Sequence, residues 1–242
     1  MKKINLHTKN QFAILVDPDK ADEAYLNELI KYTQIGVDFF LVGGSLLQED
    51  RFEKTICFLK ENTPIPVYIF PGNMLQVSSK ADGILLLSLI SGRNPEFLIG
   101  HHVLASSAIK RANIEIIPTG YILIDGGNVS SVEYMSNTMP IPASKSDIIT
   151  ATALAGEQLG MKAIYLEAGS GAKNSIRLEI IKKVNQCIDI PIIVGGGIRT
   201  PEDFADAFIA GANVVVMGTA VEENPSIIEK CLAMKVENAI NK

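Results

Sequence analysis

Cysteine is scarce in this chain. Cys57, Cys187 and Cys231 are three scattered thiols, an odd number with neither the pairing of a secreted disulfide scaffold nor the CxxC spacing of a metal site. A reducing cytoplasmic setting is the expectation. Runs of Lys or Arg are missing too, and the net charge is −5. A nucleic-acid backbone demands clustered cations, so no nucleic-acid partner is expected and any phosphate site must be local. Long apolar runs are also absent. The longest, residues 84–90, is interrupted by Ser88 and far too short to span a bilayer, and residues 1–10 hold no signal-peptide core. These absences predict a soluble protein.

What is present is apolar bulk and glycine. Of 242 residues, 47% are hydrophobic and 20% charged, which suits one large α/β domain over residues 1–242 better than two small ones. Short β-rich runs alternate with longer amphipathic segments eight times, with strands expected near 12–16, 38–42, 67–70, 83–87, 115–119, 163–167, 192–194 and 214–217. Eight such units in this length predict a (β/α)8 barrel with its chemistry at the C-terminal strand ends. A doubly wound open sheet is the competitor, but it places one dominant glycine loop after its first strand. Here the loops are spread along the chain.

Two irregularities interrupt the repeat. Residues 71–82 are too short and broken for a barrel-spanning helix with both its loops, so the element after the third strand is reduced and one flank of the barrel is uncovered. That flank suits a hydrocarbon groove, another subunit, or a short loop covered by its neighbours. Residues 125–146 form a long connection after the fifth strand, of the kind that serves as a lid or interface piece.

The strand at 163–167 ends in a carboxylate and opens at once into small residues: Tyr165, Leu166, Glu167, Ala168, Gly169, Ser170, Gly171. Strand alternation puts Tyr165 and Glu167 on one face, and the glycines let backbone N–H groups converge on an anion. Gly195, Gly196 and Gly197 follow the seventh strand and run into a Thr200 cap with Pro201. Gly218 and Thr219 follow the eighth, with room for a short extra helix before Asn224 and Pro225. Barrels bind phosphate through loops seven and eight and the positive end of such a helix. Gly160 and Gly211 are expected to end helices instead. At the other side, Asp17 closes the first strand and Ser45 follows the second. Together they can hold one Mg²⁺ if a diphosphate supplies further oxygens, or they can merely cap a turn and a helix.

Residues 16–20, Gly43-Gly44-Ser45, 165–171, 195–199 and Gly218-Thr219-Ala220 together resemble the geranylgeranylglyceryl phosphate synthase family over nearly the whole chain. The resemblance implies a modified (β/α)8 TIM barrel that joins a polyprenyl diphosphate to the 3-hydroxyl of sn-glycerol 1-phosphate, releasing diphosphate. It implies Mg²⁺ at Asp17 and Ser45. The glycerol phosphate site then corresponds to Tyr165, Leu166, Glu167, Ala168, Gly169, Ser170, Gly171, Gly196, Gly197, Gly218 and Thr219. Within that assignment Glu167 orients the attacking hydroxyl and takes its proton, or only binds the glycerol, with Tyr165 shaping the pocket. A homo-oligomer and peripheral membrane contact for product release complete the expectation. The rivals are an isomerase or lyase of phosphorylated sugars or indole precursors, a flavin barrel, and a catalytically silent scaffold. His101 and His102 lack a third ligand and are read as surface or contact residues.

Overall fold

The computed structural model describes residues 2–240. Eight strands form one closed parallel barrel in sequence order: β1 (Gln11–Val16), β2 (Phe39–Val42), β3 (Val67–Ile69), β4 (Gly83–Leu89), β5 (Glu115–Leu123), β6 (Ala163–Glu167), β7 (Ile192–Gly195) and β8 (Val214–Met217). Closure is made by β8 against β1, with Gln11 opposite Val214 and Ile14 opposite Met217. Both faces of every strand are covered, which is why the strands read as near-continuous apolar runs. One set of side chains, including Phe39, Tyr68, Leu85, Tyr121, Tyr165, Ile193 and Val216, fills the barrel. The alternate set, including Phe12, Ile14, Phe40, Ile164, Leu166 and Val215, packs outward against the helices.

The helices are α1 (Glu23–Tyr32), α2 (Phe52–Asn62), α3 (His101–Ala112), α4 (Ser131–Ser136), α5 (Ser146–Gln158), α6 (Leu178–Asn185), α7 (Pro201–Ala210), α8 (Thr219–Glu223) and α9 (Ile227–Ile240). A π-helical turn, Glu96–Gly100, leads into α3. Local sequence sets several boundaries. The Thr200 side chain accepts from the Asp203 amide ahead of Pro201 and starts α7, and Gly211 at φ 119° ends it. Between β3 and β4 there is no helix, as the broken sequence predicted.

The fifth strand departs from expectation. The sequence pattern places its end at Thr119, yet β5 runs on to Leu123 because it is paired on both sides, Leu89 opposite Tyr121 on β4 and Leu123 opposite Glu167 on β6. The bottom of the barrel is plugged by the N-terminal segment. Leu6 is buried there, the Lys2 amide donates to the Asp82 carboxylate at 2.8 Å, and Lys60 pairs with the same carboxylate at 2.6 Å. The top is left free for chemistry.

Candidate active site

At the C-terminal strand ends a cavity of about 310 Å³ is lined from both sides of the barrel mouth. Asp17, Lys20, Gly44 and Ser45 come from the β1 and β2 ends. Glu167, Ser170, Gly171, Gly196, Gly197, Gly218 and Thr219 come from β6, β7 and β8. Tyr165 and Tyr121 form the floor, their rings 5.4 Å apart and inclined by 26°, with Phe70 5.2 Å from Tyr165.

Glu167 is buried at the last position of β6. Burial pushes its carboxyl up to about 7, while the Gly169 amide and the neighbouring Tyr165 hydroxyl oppose that rise by favouring the ionised form. Burial likewise drives the Tyr165 and Tyr121 phenols well above their ordinary value, with the Glu167 charge adding to it. A carboxyl held near 7 between tyrosines is poised to take a proton from an alcohol at neutral pH.

The glycine loops divide their work differently from expectation. The Gly169 amide donates to Glu167 Oε1 at 2.6 Å, so it fixes the carboxylate rather than an anion. Among the described residues, the amides of Ser170, Gly171, Gly196 and Gly197 have no protein acceptor, and these remain for a phosphate. Gly196 has φ 79°, and a Cβ there would meet Glu167 Oε1 at 2.2 Å and the Gly169 nitrogen at 2.7 Å. Only glycine lets this loop lie against the carboxylate. Arg199 lines the cavity and ties loop six to loop seven, its Nη2 donating to the Gly171 carbonyl at 3.2 Å. Leu166 and Ala168 point the other way and are buried in the outer core. They serve the site through backbone alone, the Ala168 amide bonding the Gly195 carbonyl at 3.1 Å.

On the opposite side the Asp17 carboxylate is partly exposed and faces Gly44, whose added Cβ would lie 3.5 Å from Oδ1. It also accepts from the Asp19 amide at 3.1 Å through Oδ1, so the turn-capping role is real, and Oδ2 lies 3.8 Å from Lys20 Nζ. Ser45 caps no helix, since α2 starts only at Phe52. Its loop is held by Gln76, a residue that sequence reading did not single out. Buried Gln76 donates to the Gly44 carbonyl at 2.7 Å and accepts from the Gly44 and Gly72 amides at 3.3 and 3.2 Å. The link crosses 32 residues, and nothing local announces it.

The long connection after β5 forms a wall of the site. Its Asn128 side chain accepts from the Lys173 amide at 3.0 Å and its Gly126 carbonyl from the Asn174 amide at 3.0 Å. Ser131 and Val132 at the start of α4 then reach the cavity. Beside them an apolar channel of about 80 Å³ leads from Ser45 and Tyr121 past Phe70, Leu87 and Phe97 to the flank that lacks a helix. His101 and His102 are not remote from this flank. They line its outer part with Met74 and Phe97, and His102 Nε2 lies 2.8 Å from the Leu87 carbonyl.

A sequence profile described as the PcrB family matches residues 5–237. The chain belongs to the PcrB family. A protein of Spirosoma linguale named geranylgeranylglyceryl phosphate synthase is 44% identical, covering 94% of this chain and 92% of its own length. A like-named protein of Flavobacterium johnsoniae is 49% identical over 88% of each chain. Among solved structures, the (S)-3-O-geranylgeranylglyceryl phosphate synthase of Thermoplasma acidophilum in complex with sn-glycerol-1-phosphate is similar with a TM-score of 0.89 and 32% identity, covering 96% of this PcrB-family chain and 95% of that one. The thiamine phosphate pyrophosphorylase of Pyrococcus furiosus, at 15% identity and a TM-score of 0.61, shares the fold alone.

Proposed function

We propose that this PcrB-family protein is a prenyltransferase that joins a polyprenyl diphosphate, geranylgeranyl in its relatives' names, to the 3-hydroxyl of sn-glycerol 1-phosphate, releasing diphosphate. The observation that carries it is the single cavity whose one side offers free main-chain amides beside a buried carboxyl and whose other side offers Asp17, Ser45 and Lys20 at the mouth of an apolar channel. A phosphomonoester fits the first side, a diphosphate the second, and a hydrocarbon tail the channel.

Mg²⁺ suits the second side. Among the described residues no group of three or more His, Cys, Asp or Glu stands at metal distance, so no all-protein cage exists. One carboxylate and one hydroxyl match a cation that keeps its waters and takes phosphate oxygens. When bound, Mg²⁺ supplies positive charge that eases departure of the diphosphate.

The chain's own residues do the rest. The loop amides fix the phosphate and Glu167 orients the glycerol hydroxyl. Its oxygen forms a new bond to the allylic C1 as the C1–O bond to diphosphate breaks, and the proton passes to Glu167. Tyr121, Tyr165 and Phe70 line the cavity, and their aromatic rings favour the positive charge that develops on C1. Burial of each methylene in the channel contributes about 0.8 kcal/mol, so channel depth sets chain-length preference.

The rival barrel chemistries lack support in this site. No lysine lies within a barrel strand for Schiff-base work. Incubation with Mg²⁺, sn-glycerol 1-phosphate and prenyl diphosphates of graded length, read by product mass, tests the proposal. Release of diphosphate without an ether product would refute it.

Self-association belongs to the same reading, supported by Ile99, Val103 and Leu104, which stand 59, 64 and 63% exposed around the start of α3. A monomer by sedimentation at micromolar concentration would end that part. The three cysteines are all free, in keeping with a cytoplasmic setting. No helix among the described residues is long and apolar enough to cross a membrane, so membrane contact for product release is peripheral in this proposal.

A further inference from the structure

Lys20 stands on the diphosphate side of the cavity, and its partner Glu222 and the buried Tyr25 have no part in the mechanism above. Lys20 follows β1, Glu222 lies on α8, and they meet at the seam where the barrel closes, both lining the cavity. Lys20 Nζ is 2.8 Å from Glu222 Oε2 and 3.8 Å from Asp17 Oδ2. The lysine side chain is 55% exposed and Glu222 only 16%, so the cation is free to swing while the carboxylate is held. The Tyr25 hydroxyl on α1 is buried and has no hydrogen-bond partner among the described residues. A buried orphan hydroxyl is costly and calls for an explanation. Burial first, then the Glu222 charge, pushes its ionisation up.

The cavity also needs a cation on this side. Besides Lys20, the one cationic side chain lining it is Arg199, which is occupied with the Gly171 carbonyl on the phosphomonoester side. A diphosphate at Asp17 and Ser45 would lie beside Lys20 with no other lysine or arginine of the cavity at hand.

We propose that Lys20, Glu222 and Tyr25 act as a partner-exchange relay. Without ligand, Glu222 holds Lys20; when a diphosphate arrives, Lys20 passes to it and Glu222 takes the Tyr25 hydroxyl as its new donor. Lys20 is then a diphosphate-binding residue, Glu222 its competitor in the free protein, and Tyr25 a positioning residue that stabilises the exchanged state. The relay rests on the reading that a diphosphate occupies this side. Because α8 begins at Thr219 on the phosphomonoester side, the exchange also joins the two halves of the site.

The three residues have distinct signatures, so the test is a set of variants titrated calorimetrically with inorganic pyrophosphate in excess Mg²⁺, alongside sn-glycerol 1-phosphate. Lys20→Gln weakens pyrophosphate binding about tenfold or more and leaves glycerol phosphate within about twofold, as expected for a lost charge-assisted contact. Glu222→Gln tightens pyrophosphate severalfold by removing the competitor. Tyr25→Phe keeps or raises the melting temperature of the free protein, since its hydroxyl has no partner there, yet weakens pyrophosphate about threefold. Glu222→Gln weakening pyrophosphate as Lys20→Gln does, or Tyr25→Phe leaving pyrophosphate affinity unchanged, would overturn the relay. The two readings fail separately. A wild-type protein that binds pyrophosphate with these variant signatures but forms no ether product would refute the prenyl transfer and leave the relay standing.

Discussion

Replacing Glu167 by glutamine separates what this carboxyl does for the reaction from what it costs the fold. Its proton is held up to about 7 against an ordinary value of 4.5. A carboxyl raised in the folded state binds its proton more tightly there than in the unfolded chain, so folding stability falls as pH rises from about 4.5 to about 7 and stays lowered above that. A shift of this size corresponds to on the order of 3 kcal/mol once ionisation is complete. Glutamine keeps an oxygen for the Gly169 amide, which donates at 2.6 Å in the parent, and carries no charge. Glu167→Gln is therefore expected to match the parent at pH 4.5 and to exceed it at pH 8, by roughly 5 to 10 °C in Tm for a chain of this size. At pH 8 its turnover lies about a hundredfold below the parent's, and the parent's kcat/KM for glycerol phosphate rises with pH through about 7 where the variant's stays flat. Thermal melts at the two pH values with steady-state rates settle it. Equal stabilities at pH 8 would refute the desolvated carboxyl, and near-parent turnover at saturating glycerol phosphate would refute its role as base.

Three further outcomes follow from the geometry. Gly196→Ala brings a Cβ to 2.2 Å from Glu167 Oε1 at φ 79°, so it should lose at least about 2 kcal/mol of stability and most of its glycerol phosphate affinity, read by melting and calorimetry. Asp17→Asn should lower turnover at least about tenfold and raise the Mg²⁺ concentration for half-activity; full activity with unchanged Mg²⁺ dependence would remove Asp17 from the site. Leu87→Trp fills the channel of about 80 Å³ beside Phe97 and should shift preference toward shorter prenyl diphosphates while leaving glycerol phosphate binding alone, a change visible in competition assays read by mass.

Much of this architecture was legible in the sequence because covered parallel strands read as apolar runs, and because each functional loop begins where such a run stops. The gap after β3 showed in the same way, as too few residues for a helix. β5 runs past Thr119, where its β-rich pattern was expected to stop, because pairing on both sides carries the strand on to Leu123. In the site, residue types were informative but their division of labour was not. That Gly169 serves Glu167, while Gly171 and Gly197 stay free, depends on where loop seven lies against loop six. Gln76, Lys20 and Glu222 belong to contacts spanning 32 and 202 residues, and such pairs carry no local signature.

The first and last strands lie edge to edge, Ile14 beside Met217, so two segments about two hundred residues apart along the chain become immediate neighbours only when the ring shuts. Until then the Asp17 side and the Thr219 side of the cavity do not face each other. A chain stalled before its eighth strand, or clipped between β7 and β8, keeps most of its apolar interior yet has nothing with which to bring the two reactants together. Competence to react thus arrives in one step at the end of assembly, and a partly made copy should sequester neither reactant while it waits.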